Sequence, residues 1–283
     1  MSGRRGRQAL VLAWVVTAGS AWAAPSQRLV VAGGALTEIV YDLGLAQRLA
    51  GVDTTSVFPR DTERLAKIGY LRNLSTEGIL SLHPDVLLAT ADAGPPSVLQ
   101  QLRSAGLPLR IVAAPHSPGG VADKIAAVAG ALGEADRGNR PIGRYRAQWR
   151  ETEQFVARQT IRPRVLFLLA HGSGIQVAGR ETAADAVIRL AGAKNVGGDF
   201  SGYRPLNAES AVAANPQAVL LTREGLAALG GHDALWQVPG LKLTEAGSSR
   251  RVVAMDAGYL LGFGPRLPQA VRELAERLRR PTP

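Results

Sequence analysis

The chain has 283 residues, 46% of them hydrophobic and 20% charged, and a formal net charge of +10. That length exceeds one small core, and the apolar share excludes wholesale disorder. The absence of cysteine excludes disulfides, thiolate metal sites and a lipid-modified cysteine, and scattered basic residues with no basic tail argue against nucleic acid as a partner.

Residues 1–24 read as an export signal. Arg4, Arg5 and Arg7 form a positive n-region, Ala9 to Val16 an apolar stretch too short to span a bilayer, and Ala21-Trp22-Ala23 a small-x-small cleavage site. Cleavage is expected after Ala23 or Ala24, releasing a periplasmic protein. No later window has the length and apolarity of a membrane helix.

Residues 25–137 predict an N-terminal α/β lobe. Arg28 to Gly34 is an apolar run entering a glycine turn, and Leu36 to Leu43 has helical spacing with Thr37 as its cap. Ala50 to Thr54, Asp85 to Thr90 and Leu109 to Ala114 read as strands, Thr76 to Leu82 and Pro96 to Ala105 as helices. Alternation of this kind predicts a parallel sheet covered on both faces.

After a helical stretch from Val121 to Leu132, residues 138–160 predict a connecting helix. Ile142, Tyr145, Trp149, Phe155 and Val156 form its apolar stripe, with Pro141 expected in its first turn. Twenty helical residues span about 30 Å. The alternation restarts over residues 161–283, with strands at Arg164 to Ala170, Ala218 to Thr222 and Val252 to Met255 and helices at Thr182 to Ala191 and Pro268 to Arg279. An ungapped internal echo relates Leu74–Thr90 to Leu206–Thr222, each a Ser or Asn cap, a Glu two residues on, a proline, then a strand. The expected fold is α/β: two doubly wound lobes joined by a single long α-helix.

In such sheets the ligand crevice lies at the carboxyl ends of the strands. Tyr70, Arg72, Glu77, Tyr203 and Glu209 fall at that end, His171 directly follows its strand, and His116 follows another. His83 precedes a strand and belongs to the far end. Tyr70 offers an oxygen able to become a phenolate, Arg72 can donate to it, and an anionic oxygen suits ferric iron. A lone tyrosine is more often a packing residue, so position is what singles this one out. His171 is a candidate second iron ligand. Glu77 and Glu209 sit in first helical turns, where the helix dipole welcomes a carboxylate. The dipole accounts for either one, but less well for the same device once per lobe. There is no P-loop, dinucleotide fingerprint or nucleophile elbow, and four histidines without a His-rich loop do not suit dedicated zinc or manganese capture.

Gly69-Tyr70-Leu71-Arg72, Leu74-Ser75-Thr76-Glu77-Gly78, Leu169-Ala170-His171-Gly172, Gly202-Tyr203-Arg204-Pro205-Leu206 and Leu260-Leu261-Gly262-Phe263-Gly264-Pro265-Arg266 carry a resemblance. The chain resembles the periplasmic haem-binding proteins of haem-uptake ABC transporters, within the class III substrate-binding proteins that also carry cobalamin and ferric siderophores. The resemblance covers essentially the whole mature chain. It implies haem as the transported ligand, held between the lobes, with Tyr70 as axial ligand, Arg72 as its hydrogen-bond partner and His171 near the iron. Tyr203, Tyr259 and Phe263 would line the ring. Glu77 and Glu209 would dock onto an ABC permease dimer served by a cytoplasmic ATPase. A monomer without enzymatic activity is expected. The same fold carrying cobalamin or a ferric siderophore is the alternative, and a tetrapyrrole metal chelatase a more distant one.

Overall fold

The structure, a computed structural model, describes residues 27–171 and 174–280; the expected export signal lies outside the described residues. The first half runs β1 (Leu29–Ala32), α1 (Gly34–Asp42), β2 (Leu49–Val52), β3 (Ala66–Lys67), β4 (Gly69–Tyr70), β5 (Asn73–Leu74), α2 (Thr76–Leu80), β6 (Val86–Thr90), α3 (Pro96–Ser104), β7 (Leu109–Val112) and α4 (Pro118–Ala131). Helix α5 (Ala135–Ala157) leads to the second half. That half comprises β8 (Arg164–His171), β9 (Gly174–Ala178), α6 (Ala183–Leu190), β10 (Lys194–Asn195), β11 (Tyr203–Pro205), α7 (Ala208–Ala214), β12 (Ala218–Thr222), α8 (Arg223–Ala228), α9 (His232–Leu235), α10 (Glu245–Ser248), β13 (Val252–Met255), α11 (Ala257–Leu261) and α12 (Leu267–Arg277).

In the first half β1 and β6 are wholly buried, as unbroken apolar runs require of strands covered on both faces. The sheet is parallel throughout, in the order β3-β2-β1-β6-β7. Its direction of winding changes at β1, so the crevice end opens beside Gly33 and the loop after β2. The second sheet runs β11-β9-β8-β12-β13 and differs from the expectation: β9 returns antiparallel to β8, and β11 antiparallel to β9. Strand β9 thus forms a hairpin with β8 where no further strand was expected.

Two local expectations are corrected. Thr37 is not the cap of α1, which starts at Gly34. Its hydroxyl lies 2.8 Å from Ser56 Oγ, so a tertiary partner claims it. Pro141 lies inside α5, because the helix begins at Ala135. A proline there removes one helical donor, a cost that packing must offset.

That packing is extensive. One continuous core runs from Leu36 and Val121 through Tyr145 of α5 to Phe167, Ile188 and Leu274 in the second half. Tyr145 donates to the Pro118 carbonyl at 2.9 Å and Thr152 to the Pro268 carbonyl at 3.1 Å, so α5 is pinned to α4 and α12. Smaller cores lie under α2 and α3 and under α7 and α8. The two sheets therefore share one welded side, while their carboxyl ends carry the loops that make the site.

Candidate functional site

Gly69 and Tyr70 form one arm of a two-stranded hairpin whose other arm is Asn73–Leu74. Gly69 has φ 101°, and a Cβ there would stand 2.7 Å from the Asn73 carbonyl, so this turn needs glycine. The hairpin leaves the Tyr70 ring 43% exposed. Arg72 Nη1 donates to Tyr70 Oη at 3.3 Å, and Arg72 Nη2 pairs with Asp92 Oδ2 at 2.9 Å. The other Asp92 oxygen accepts from Thr90 Oγ1 at 2.7 Å. A relay from the end of β6 thus orients the guanidinium against the phenol. Asp92 went unread in the sequence, although its place two residues past a strand end is a usable signal.

Tyr203 belongs to the other half. Burial pushes its phenol above the ordinary value, opposed by nearby Thr182 and by the charge of Arg72. The influence of Arg72 sets Tyr203 near the Tyr70 relay, with the residue itself 37% exposed. Its neighbour Arg204 stacks on Phe200, 4.7 Å from the ring centroid.

His171 ends β8 opposite Gly174, at the carboxyl end of its strand. Tyr259 is half-buried in α11, and its phenol is pushed up to about 12 by burial, with Glu273 adding. Phe263 is 1% exposed, with its ring 5.2 Å from that of His116. As a core residue it cannot offer an open face to a ligand, which corrects its expected place along the ring: the aromatic sits beneath the crevice, between the halves.

His116 is largely exposed, with one side of its ring against Phe263, and this partial desolvation, with Lys124 nearby, lowers its pKa. Lys124 is 2% exposed and donates to the Phe263 carbonyl at 2.9 Å. Burial drops its pKa to about 8, against the opposing pull of Asp92 and Glu38.

Glu77 and Glu209 occupy equivalent first turns. Ser75 Oγ accepts from Gly78 N at 2.9 Å to cap α2, and Asn207 Oδ1 accepts from the amides of Glu209 and Ser210 to cap α7. Both glutamates are exposed, neither has an ion-pair partner among the described residues, and each lies at the crevice end of its half.

Among the described residues no three His, Asp or Glu side chains converge as a metal site, and no helix is long and apolar enough to cross a membrane. The arrangement can offer one phenol oxygen, backed by a guanidinium, to a ligand lodged between the halves.

Comparison with solved structures places this geometry. The periplasmic haem-binding protein RhuT from Roseiflexus sp. RS-1, in apo form, superposes with a TM-score of 0.87 at 42% identity, covering 89% of this chain and 98% of that one. The periplasmic haem-binding protein BhuT, in complex with two haems, gives 0.85 at 47% identity over 89% and 97%. The vitamin B12-binding protein of Vibrio cholerae is 24% identical, spanning 90% of both chains. Residues 29–259 match the family described as periplasmic binding protein. That match spans most of the chain, and the chain belongs to the periplasmic binding protein family.

Proposed function

We propose that this chain is a periplasmic substrate-binding protein that captures ferric haem between its lobes and delivers it to an inner-membrane ABC importer. One observation carries the reading: an exposed tyrosine at the crevice end, with Arg72 donating to its hydroxyl and Asp92 holding Arg72. The likeness to RhuT and BhuT supports the choice of cargo. On capture, Tyr70 Oη gives up its proton to solvent and binds the iron as an oxyanion, and Arg72 balances the charge left on that oxygen. Tyr203, from the other lobe, serves as a hydrogen-bonding wall. His171, at the end of its strand, is the candidate second iron ligand, and Tyr259 a candidate for lining the ring.

Residues 25–137 and 161–283 act as the two lobes and 138–160 as the link. The welded core limits their relative motion to a small change of angle. Glu77 and Glu209, one per lobe, give a permease a grip on both at once, which is what release from a stiff clamp requires. No catalytic step is involved.

The test is titration of the purified protein with hemin, followed by absorption. Saturable uptake with a high-spin ferric phenolate spectrum, lost in Tyr70→Ala, is expected. Likeness to vitamin B12-binding proteins favours cobalamin as the second reading. Saturable binding of cobalamin in place of hemin would replace the first reading with it.

A further inference from the structure

The motif Gly262-Phe263-Gly264-Pro265-Arg266 is driven from the second lobe into the first. A Cβ on Gly264 would meet Ala35 Cβ at 3.3 Å and Glu38 Oε2 at 3.5 Å, so glycine permits the close approach to α1. Arg266 Nε then donates to Glu38 Oε2 at 2.9 Å and Arg266 Nη2 to Glu38 Oε1 at 2.6 Å, a two-pronged pair across the lobes. The same guanidinium lies over the Phe58 ring, 3.8 Å from its centroid, with Tyr259 at 5.0 Å.

Phe58 hangs on the loop after β2, at the crevice end. Asp53, fully buried, fixes that loop by accepting from the amides of Gly33 and Thr55 at 2.8 and 2.9 Å, from Ser56 Oγ at 2.7 Å and from Thr55 Oγ1. Thr54 N donates to the Gly69 carbonyl at 2.9 Å, so this loop adjoins the Tyr70 hairpin. Yet Phe58 is 43% exposed and Val57 50% exposed. A loop so heavily anchored, ending in uncovered apolar side chains beside the iron-binding candidate, is built to hold a surface open. One face of Phe58 is occupied by Arg266, and the remainder is free for a flat apolar ligand.

We infer that Phe58 is a wall of the cleft against which the macrocycle lies, and that Arg266, locked to Glu38, is the positioning residue that braces it across the lobes. The inference rests on the haem-capture reading. It adds a contact for the ring's flat face, separate from the iron ligand, and explains why Arg266 must reach the other lobe.

The test titrates hemin into wild type, Phe58→Ala and Phe58→Leu, with release followed by transfer to excess apomyoglobin. Phe58→Ala should weaken binding about tenfold, mostly through faster release, with the ferric phenolate spectrum intact because Tyr70 is untouched. Phe58→Leu should recover most of the loss. An affinity within about twofold of wild type in Phe58→Ala, at this expected scale of effect, overturns the wall.

The brace has its own readout, independent of haem. Since the chain has no cysteine, spin labels at Ser81→Cys and Ala213→Cys report one lobe-to-lobe distance in the ligand-free protein. Arg266→Gln alone would strand the Glu38 carboxylate, so Glu38→Gln with Arg266→Gln is the cleaner variant. A broadened distance distribution supports the brace, and an unchanged one overturns it. Wild-type protein that takes up no hemin removes the wall along with the function beneath it, while the label distances still decide the brace.

Discussion

The two lobes repeat one unit, Leu74–Thr90 and Leu206–Thr222, and at the far end the copies agree down to single bonds. His83 and Asn215 both take left-handed backbone, with φ 47° and 39°, before their prolines. Asp85 and Gln217 each accept the amide that starts the neighbouring strand, from Arg28 at 2.6 Å and Arg164 at 3.0 Å. Each of those arginines also turns its Nε back to the end of the preceding turn, at Leu82 and, one position later in the repeat, at Asn215. At the crevice end the copies part. In the first lobe Thr90 donates to Asp92, which holds Arg72 against Tyr70. In the second, Thr222 caps α8 by accepting from Gly225 N at 2.9 Å, Glu224 sits in that helix's first turn, and Arg204 stacks on Phe200. Among the described residues, the duplicated scaffold carries this tyrosine–arginine–aspartate relay at one strand end only.

Substituting the two tyrosines tests that division most severely. Tyr70→Phe removes only the oxygen, and should weaken hemin binding about a hundredfold, close to 3 kcal/mol, with loss of the phenolate band. Tyr203→Phe should cost less than about threefold and keep the band, since it removes at most one neutral hydrogen bond. Equal losses in an absorption titration would show that the lobes share the iron.

Among the described residues the first lobe alone also buries a cation, Lys124, with the carboxylates of Asp92 and Glu38 as its charged surroundings and His116 nearby. Folding drops its pKa from 10.5 to about 8. Between those values the unfolded chain holds more protons, so stability should rise with pH across that window, by at most about 3 kcal/mol. Lys124→Met should abolish this rise. The difference in urea midpoints between pH 8 and pH 10, wild type against variant, isolates the lysine because every other group is common to both proteins.

Sequence pattern made the lobes legible because buried parallel strands are short apolar runs with turns between, and β12 and β13 fall where that rule puts them. Strand β9 was not legible. Its residues, Gly-Ile-Gln-Val-Ala, carry too weak an alternation to separate a hairpin from a loop, and only pairing with β8 makes it a strand. Tyr70 and Arg72 could be read because two residues of spacing bring them together in any extended hairpin. Glu38, Phe58 and Arg266 could not, since their meeting depends on how two lobes seat against each other. Phe263 misled for the same reason: an aromatic between glycines looks exposed until the other lobe covers it.

A smaller loss sharpens the comparison at Asp92, which orients Arg72 without touching the ligand. Asp92→Asn should weaken hemin binding about tenfold, in the range usual for groups that position a metal's ligand. Glu224→Gln, at the equivalent place in the second lobe, should leave affinity within about twofold, because that carboxylate serves its helix dipole and no arginine. Calorimetric titration of both variants decides it, and a comparable loss in Glu224→Gln would return the ligand chemistry to both strand ends.

The smallest effects belong to the device the two lobes hold in common. Ser75 caps α2 through one amide, and Asn207 caps α7 through two, the second at a longer 3.3 Å. Since that longer bond adds little, Ser75→Ala and Asn207→Ala should each cost about 1 kcal/mol, read as matched shifts in the urea midpoint. Each cap also fixes where its glutamate stands, so haem delivery to a reconstituted importer should fall to a similar degree in both. A loss confined to one variant would mean that the permease grips a single lobe, and that the repeated acidic helix start is a relic of duplication in the other.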